Sequence, residues 1–65
     1  MTDPERLLDV DEVAELLGVQ VVHVYDLLRS GELPGINVGR GSQRIRWRVR
    51  PSDLAEWQRQ REVKP

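Results

Sequence analysis

The chain has 65 residues, no cysteine and a formal net charge of −1. This length indicates a single domain, the lack of cysteine excludes disulfides and thiolate metal sites, and no apolar run approaches the ~20 residues of a membrane span. Because the N-terminus also lacks a secretory signal pattern, we expect a cytoplasmic protein. A chain this short forms a small core, which we expect to require both tryptophans.

The near-neutral total conceals a division of charge along the chain. Residues 1–32 hold eight acids against two arginines, a net charge of −6, whereas residues 33–65 hold eight bases against three acids, a net charge of +5. Five of those bases fall between Arg40 and Arg50. A local basic cluster of this kind is typical of nucleic-acid binders even when the total charge is not basic. The alternative is a solvated arginine face without a partner.

The first predicted helix begins after residues 1–6, a polar segment expected to be frayed. Asp9 is a suitable N-cap, and Glu12 three residues later completes an acidic capping box. From Val10 onward, apolar residues recur at the i, i+3, i+4 and i+7 positions of a helix with one buried face. Gly18 then ends the helix.

The second predicted helix begins at about Gln20 and ends at Ser30–Gly31, before Pro34 prevents its continuation. Its outward side is predicted to hold Val22, Tyr25, Asp26 and Arg29. Two short helices with so small a connection must cross, which favours a helix-turn-helix whose second helix enters a DNA major groove. A small corner of two helices in an all-α domain is the alternative.

From residue 35 to residue 50 the apolar periodicity changes from 3.6 to 2, which predicts two strands. In the second strand Ile45, Trp47 and Val49 alternate with arginines, so we expect an apolar inner face and a guanidinium outer face. Residues 39–43 supply the glycines of a hairpin loop. A hairpin that follows a helix-turn-helix is a wing.

Pro51 suits the first position of a third helix, which is predicted to pack Leu54 and Trp57 over the rest of the domain. The predicted fold is therefore a small α+β winged helix-turn-helix, in the order helix, helix, strand, strand, helix. Residues 1–65 are interpreted as one DNA-binding domain, with residues 61–65 as a tail.

At this point the chain resembles a known family. LLDVDEVAELLGV, VYDLLRSGELPGINVGRG and RWRVRPSDLAEW are similar to the excisionase-type, MerR-like winged helix-turn-helix proteins, and the likeness runs from about Leu7 to Trp57. The family includes the excisionases, or recombination directionality factors, of phages and integrative elements, together with small transcriptional regulators. The resemblance implies that the second helix reads the major groove while the wing follows the adjacent backbone or minor groove.

The resemblance also implies partners. Such proteins bind direct repeats beside an attachment site, often cooperatively, bend the DNA and help an integrase to excise a mobile element. This chain departs from the family on the reading face. Ser or Thr is usual at Gln20, polar or basic residues at Val21 and Val22, Thr at His23 and Arg at Asp26.

The candidate DNA contacts fall into two sets. In the wing, the phosphate-binding candidates are Arg40, Ser42, Gln43, Arg44 and Arg46, because arginine forks match phosphate oxygens. On the second helix, the base-reading candidates are Gln20, Val22, His23, Tyr25, Asp26 and Arg29.

The chemistry of the second set allows specific pairings. Arg29 suits a guanine or a phosphate and Gln20 an adenine, whereas Asp26 suits a cytosine amino group and Val22 a thymine methyl. The alternative for Asp26 and Arg29 is an ordinary surface ion pair, and for Val22 a protein contact.

No catalytic pattern is recognisable. His23 is the only histidine and the chain has no cysteine, so we expect no metal site. His23 also lacks a nucleophile partner at a suggestive spacing, and we expect no enzyme activity, no cofactor and no small-molecule substrate. The predicted partners are duplex DNA with repeated sites, further copies of the chain and an integrase. Two alternatives remain: a transcriptional regulator on the same scaffold, and a protein-interaction module that has lost DNA reading.

Overall fold

The computed structural model describes residues 6–40 and 44–63 of the chain. Its elements are α1 (Val10–Leu17), α2 (Val21–Ser30), β1 (Ile36–Asn37), β2 (Trp47–Arg48) and α3 (Pro51–Gln60). This order confirms the predicted α+β winged helix-turn-helix. Within the described part of the chain, no helix is long and apolar enough to cross a membrane. The predicted wing residues Ser42 and Gln43, the first five residues and the last two lie outside the described residues.

The start of α1 is fixed by the predicted capping box. The Asp9 carboxylate accepts from the Glu12 N–H at 2.8 Å, and the Glu12 carboxylate accepts from the Asp9 N–H at 3.0 Å. Two N–H groups that the helix leaves unpaired are thereby satisfied. At the other end Gly18 has φ +72°, a conformation in which a side chain would be strained.

The second helix packs directly on α1 after the short turn that Gly18 begins. Its N-cap is Gln20, whose side chain makes no capping hydrogen bond. Gly31 ends α2 with φ +82° and donates its N–H to the carbonyl of Leu28 at 3.2 Å. Both glycine stops therefore lie where the sequence predicted them.

The two strands form a short antiparallel ladder, with Ile36 opposite Arg48 and Asn37 opposite Trp47. An additional antiparallel bridge joins Leu8 to Val49, through N–H···O bonds of 2.8 and 2.9 Å. The segment before α1 is thus tied to the end of the hairpin. No periodicity in the sequence indicated this connection.

The predicted apolar inner face of the wing is wrong at its outer end. Ile45 is 59 % exposed and Val38 is 45 % exposed, although Val49 is fully buried. The ladder covers only two residue pairs, so side chains beyond it project past the edge of the core instead of over it. Period-two alternation predicted the two strands correctly but overestimated how much of the hairpin the small core covers.

The core lies between the three helices and the base of the hairpin. Its buried members are Val10, Val13, Ala14, Val24, Leu27, Leu28, Leu33, Val49 and Leu54. Trp47 and Trp57 are half-buried and pack against this cluster, as the sequence predicted for both indoles. Leu33 is fully buried, although it follows α2 in a loop, where the sequence indicated only that the next residue, Pro34, prevents continuation of the helix.

Candidate nucleic-acid interface

The arms of the wing bring three of the predicted arginines to one cleft. This cleft has a volume of about 240 Å³ and is lined by Val38, Gly39, Arg40, Arg44 and Arg46. All three arginines are exposed. We call the cleft and its arginines the wing cleft. Such a concentration of guanidinium groups provides charge-assisted donors for an anion.

The wing-cleft arginines have no carboxylate partner in residues 6–40 and 44–63. The arginines outside the wing are engaged: Arg6 with Glu12, Arg29 with Asp26, Arg50 with Asp53, Arg59 with Glu56, and Arg61 with Glu32. A carboxylate partner offsets the charge of a guanidinium and occupies some of its N–H donors, which weakens its attraction for a phosphate. The wing cleft is therefore the least neutralised cationic surface in the described chain.

A close approach of the two arms shapes the wing cleft. Beyond the ladder, the N–H of Val38 donates to the carbonyl of Arg46 at 2.9 Å. A Cβ placed on Gly39 would overlap the carbonyl oxygen of Arg44. Glycine is required at this position because the opposite backbone occupies the space of a side chain. The sequence indicated these loop glycines but not the contact that requires one.

The outward face of α2 is only partly what the sequence predicted. Val22 is 59 % exposed, and His23 and Asp26 are exposed beside it. Tyr25 is half-buried and packs against the core, so this side chain faces outward only in part. Gln20 is exposed at the start of the helix. The face thus presents one exposed apolar side chain among polar ones.

Arg29 is held by its neighbours on α2. Its guanidinium lies 3.9 Å from the Asp26 carboxylate and 5.6 Å from the centre of the Tyr25 ring. A pair with both side chains about 70 % exposed is weak, but it neutralises the only arginine of this helix. The single arginine of α2 is therefore paired, whereas three arginines without a carboxylate partner in the described residues line the wing cleft.

A second cleft connects the two sets of predicted residues. Its volume is about 250 Å³, and Tyr25 of α2 and Arg46 of the wing both line it. Asp9 and Asp11, at the start of α1, lie on its rim. The second helix and the wing are therefore neighbours on one side of the domain, with acidic groups at the same cleft. Arg48 also lines this cleft, which therefore holds both cationic and acidic side chains.

Arg48 differs from Arg40, Arg44 and Arg46 because it does not line the wing cleft. It is half-buried and donates to the carbonyl of Trp47 at 2.9 Å. The Arg6 guanidinium, the Asp9 backbone hydrogen bond and the charge of Arg48 together hold the pKa of the Glu12 carboxyl below its ordinary value. Glu12 in turn raises the pKa of Arg6. Arg48 is therefore part of a structural charge cluster.

A larger hollow of about 600 Å³ runs along α3, but its chemistry differs from that of the wing. Its arginines, Arg59 and Arg61, are paired with Glu56 and Glu32. Arg61 also lies 5.0 Å from the centre of the Trp57 ring. These interactions leave little cationic capacity for an anionic ligand there.

Comparison with known proteins identifies the fold family. A family model for a helix-turn-helix domain matches residues 7–62, which is most of the chain. The chain belongs to this family of helix-turn-helix domains. Neither the curated proteins nor the solved structures contain a significant match. Membership makes the chain a DNA-binding helix-turn-helix protein, and it favours a regulatory over a catalytic role.

Proposed function

We propose that this helix-turn-helix protein is an excisionase-type architectural factor that binds duplex DNA sequence-specifically and assists integrase-mediated excision of a mobile element. In this proposal α2 lies in the major groove and the wing cleft binds the adjacent phosphate backbone. The observation that carries it is the convergence of Arg40, Arg44 and Arg46 on one cleft without carboxylate partners in the described chain.

The wing cleft and the outward face of α2 have different roles in DNA binding. Phosphate contacts supply affinity and orientation but no sequence information, whereas base edges supply specificity. The wing cleft provides the first kind of contact. On α2, Val22 would contact a thymine methyl group. Arg29 would bind a guanine once Asp26 has released it, either to solvent or to pair with a cytosine amino group.

The test is a fluorescence-anisotropy titration of labelled duplex DNA at several salt concentrations. Each phosphate contact adds about −0.9 to the slope of log K against log salt, so Arg44→Ala and Arg46→Ala should each reduce the slope by about one. Arg59→Ala is the matched control, because this arginine lies on α3 and is paired with Glu56 at 2.7 Å. Slopes that do not change for the wing variants would contradict the phosphate clamp.

One domain of this size covers a short stretch of DNA, so we propose that several copies bind repeated sites side by side. The acidic side of α1 would meet the basic surface of the next copy. Glu15 is the residue to change, because it is exposed in mid-helix, whereas Glu12 belongs to the capping box.

Glu15→Lys should weaken cooperative binding to tandem sites and leave single-site affinity the same or slightly higher. Gel-shift titration on one and on two sites measures both quantities, with Glu15→Gln as the control for lost charge without reversal. Cooperativity equal to that of the unmodified protein would refute the contact.

A second candidate function is a protein-interaction module that has lost DNA reading. The observation that favours it is the exposed Val22 beside an arginine already neutralised by Asp26. This candidate predicts no measurable binding to duplex DNA even at low salt. The titration above therefore separates the two candidates. The transcriptional regulator shares the DNA-binding surface, and absence of excision stimulation in a reconstituted integrase assay would favour it.

A further inference from the structure

The base of the wing contains a side chain that replaces part of the missing strand ladder. The amide oxygen of Asn37, the last residue of β1, accepts from the Gly39 N–H at 2.9 Å and from the Arg46 N–H at 3.0 Å. Because both partners are N–H donors, the atom between them must be the amide oxygen. One side chain thus binds the backbone of both arms.

These two bonds complete the fixation of Arg46. Its carbonyl already accepts from the Val38 N–H at 2.9 Å, and Asn37 now takes its N–H as well. Both backbone polar groups of Arg46 are therefore held across the hairpin. The bond to Gly39 holds the turn from which Arg40 continues. In this way Asn37 links the backbone positions of two of the three wing-cleft arginines.

The fixation matters because the hairpin has little other support. The regular ladder ends after two residue pairs, and the side chains of Val38 and Ile45 are exposed instead of buried. Apolar packing consequently does not hold the arms beyond the ladder. Asn37 is itself exposed, so its bonds contribute to local order and not to the core.

We propose that Asn37 is a positioning residue for DNA binding. It orders the wing cleft before phosphate arrives, so that Arg40, Arg44 and Arg46 converge without a further entropy cost on binding. The inference rests on the proposed role of the wing cleft as a phosphate clamp. It assigns to an uncharged strand residue, which contacts no DNA, control over the affinity that the arginines provide.

The primary test compares Asn37→Ala with the unmodified protein in the salt titration. Since the same phosphates are contacted after the wing becomes ordered, affinity should fall by about five- to tenfold while the salt slope stays within roughly 0.3 of its original value. Loss of a contacting arginine changes the slope instead. The melting temperature should hardly change, because the side chain is exposed.

The order of the wing is measured separately by amide hydrogen exchange in the free protein. Asn37→Ala should abolish protection of the Gly39 and Arg46 amides and leave the α2 amides protected. Asn37→Asp keeps an acceptor oxygen at the same place and should preserve that protection. Its added charge should weaken DNA binding by a different route, which lowers the salt slope as well as the affinity.

A double-mutant cycle decides whether Asn37 acts through the arginines. In an Arg40→Ala, Arg46→Ala background, which removes the two arginines whose backbone Asn37 fixes, Asn37→Ala should weaken binding by less than about twofold. A fivefold loss in that background, or unchanged affinity in the unmodified background, would overturn the inference. If Arg44→Ala and Arg46→Ala themselves have no effect, the phosphate clamp fails, and the role of Asn37 fails with it. If the arginines matter and Asn37 does not, only the positioning role is wrong.

Discussion

The helical core and the wing are held together by different interactions. The core consists of nine buried apolar side chains and, among the described residues, no buried polar one. The hairpin contributes Val49 to this core, but its outer part has exposed apolar side chains and is closed by backbone bonds and the Asn37 amide. Burial of apolar side chains stabilises the core, whereas hydrogen bonds determine the shape of the outer hairpin.

This difference separates stability from affinity within a small domain. A residue that fills the core changes the free energy of unfolding, because burial is the main stabilising contribution in a chain without disulfide or metal. Under the proposed function, a substitution in the wing cleft changes the number or order of phosphate contacts and leaves the core intact. Substitutions in the two regions should therefore have nearly independent effects.

The largest expected effect is that of Leu33→Ala, because this side chain is fully buried in the core. Loss of its methyl groups should reduce the free energy of unfolding by about 2–5 kcal/mol, which is comparable to the whole stability of a domain this small. Urea unfolding followed by tryptophan fluorescence measures the loss. Leu33→Val, a milder change, should leave a measurable folded population.

Ile45→Ala is the matched control in the wing. Its side chain is 59 % exposed, so the change in unfolding free energy should remain within about 0.5 kcal/mol. If Leu33→Ala and Ile45→Ala reduced the free energy of unfolding by similar amounts, the wing would be part of the cooperative core. The proposed separation of the two regions would then be wrong.

The sequence predicted the ends of the helices well and the burial of residues outside the helices less well, for a physical reason. The capping box of Asp9 and Glu12 and the stops at Gly18 and Gly31 depend on local backbone chemistry, which is legible in a few consecutive residues. The burial of Leu33 depends on where the chain turns after α2, and no local pattern records that direction.

The candidate site shows the same division. The arginines of the wing were recognisable from their density, but their convergence depends on Asn37, which resembles any polar strand residue in sequence. The neutralisation of Arg29 by Asp26 was foreseen as an alternative from the i, i+3 spacing, and the structure contains that pair. Whether these side chains read bases stays a prediction.

An intermediate effect is expected where core and wing meet, at Gly35. A Cβ on this residue would lie 2.6 Å from Cδ2 of Leu28 and 3.0 Å from Cε3 of Trp47. Because Leu28 is buried and cannot move aside freely, Gly35→Ala should cost about 1–3 kcal/mol in unfolding free energy. Thermal unfolding provides the measurement.

A shortened neighbour tests the cause of that loss. In a Leu28→Val background the Gly35→Ala substitution should cost less than in the unmodified protein, because one of the two close contacts is removed. Equal costs in both backgrounds would mean that the clash with Leu28 does not determine the effect.

The smallest expected effect on stability is that of Glu12. This residue lies on α1, but its carboxyl is influenced by a charge on the wing. Its carboxylate caps α1 and pairs with Arg6, and the nearby charge of Arg48 on β2 also favours its ionised form. Since folding lowers the pKa of Glu12, its contribution to stability is present at neutral pH. This contribution is lost as the pH falls below the ordinary glutamate value of roughly 4.3 and through the lower folded value.

Glu12→Gln should therefore be slightly less stable than the unmodified protein at pH 7, and the difference should shrink as the pH falls through the lowered pKa of the folded Glu12 carboxyl. Melting curves across this range measure it, and a carbon-13 titration of the Glu12 carboxyl measures the pKa directly. With Glu12 retained, Arg48→Ala as a single substitution should raise that pKa toward the ordinary value only if the charge of Arg48 on β2 reaches α1. An unchanged titration in Arg48→Ala would mean that the Asp9 and Arg6 contacts alone lower it, and that helix and wing are electrostatically separate here too.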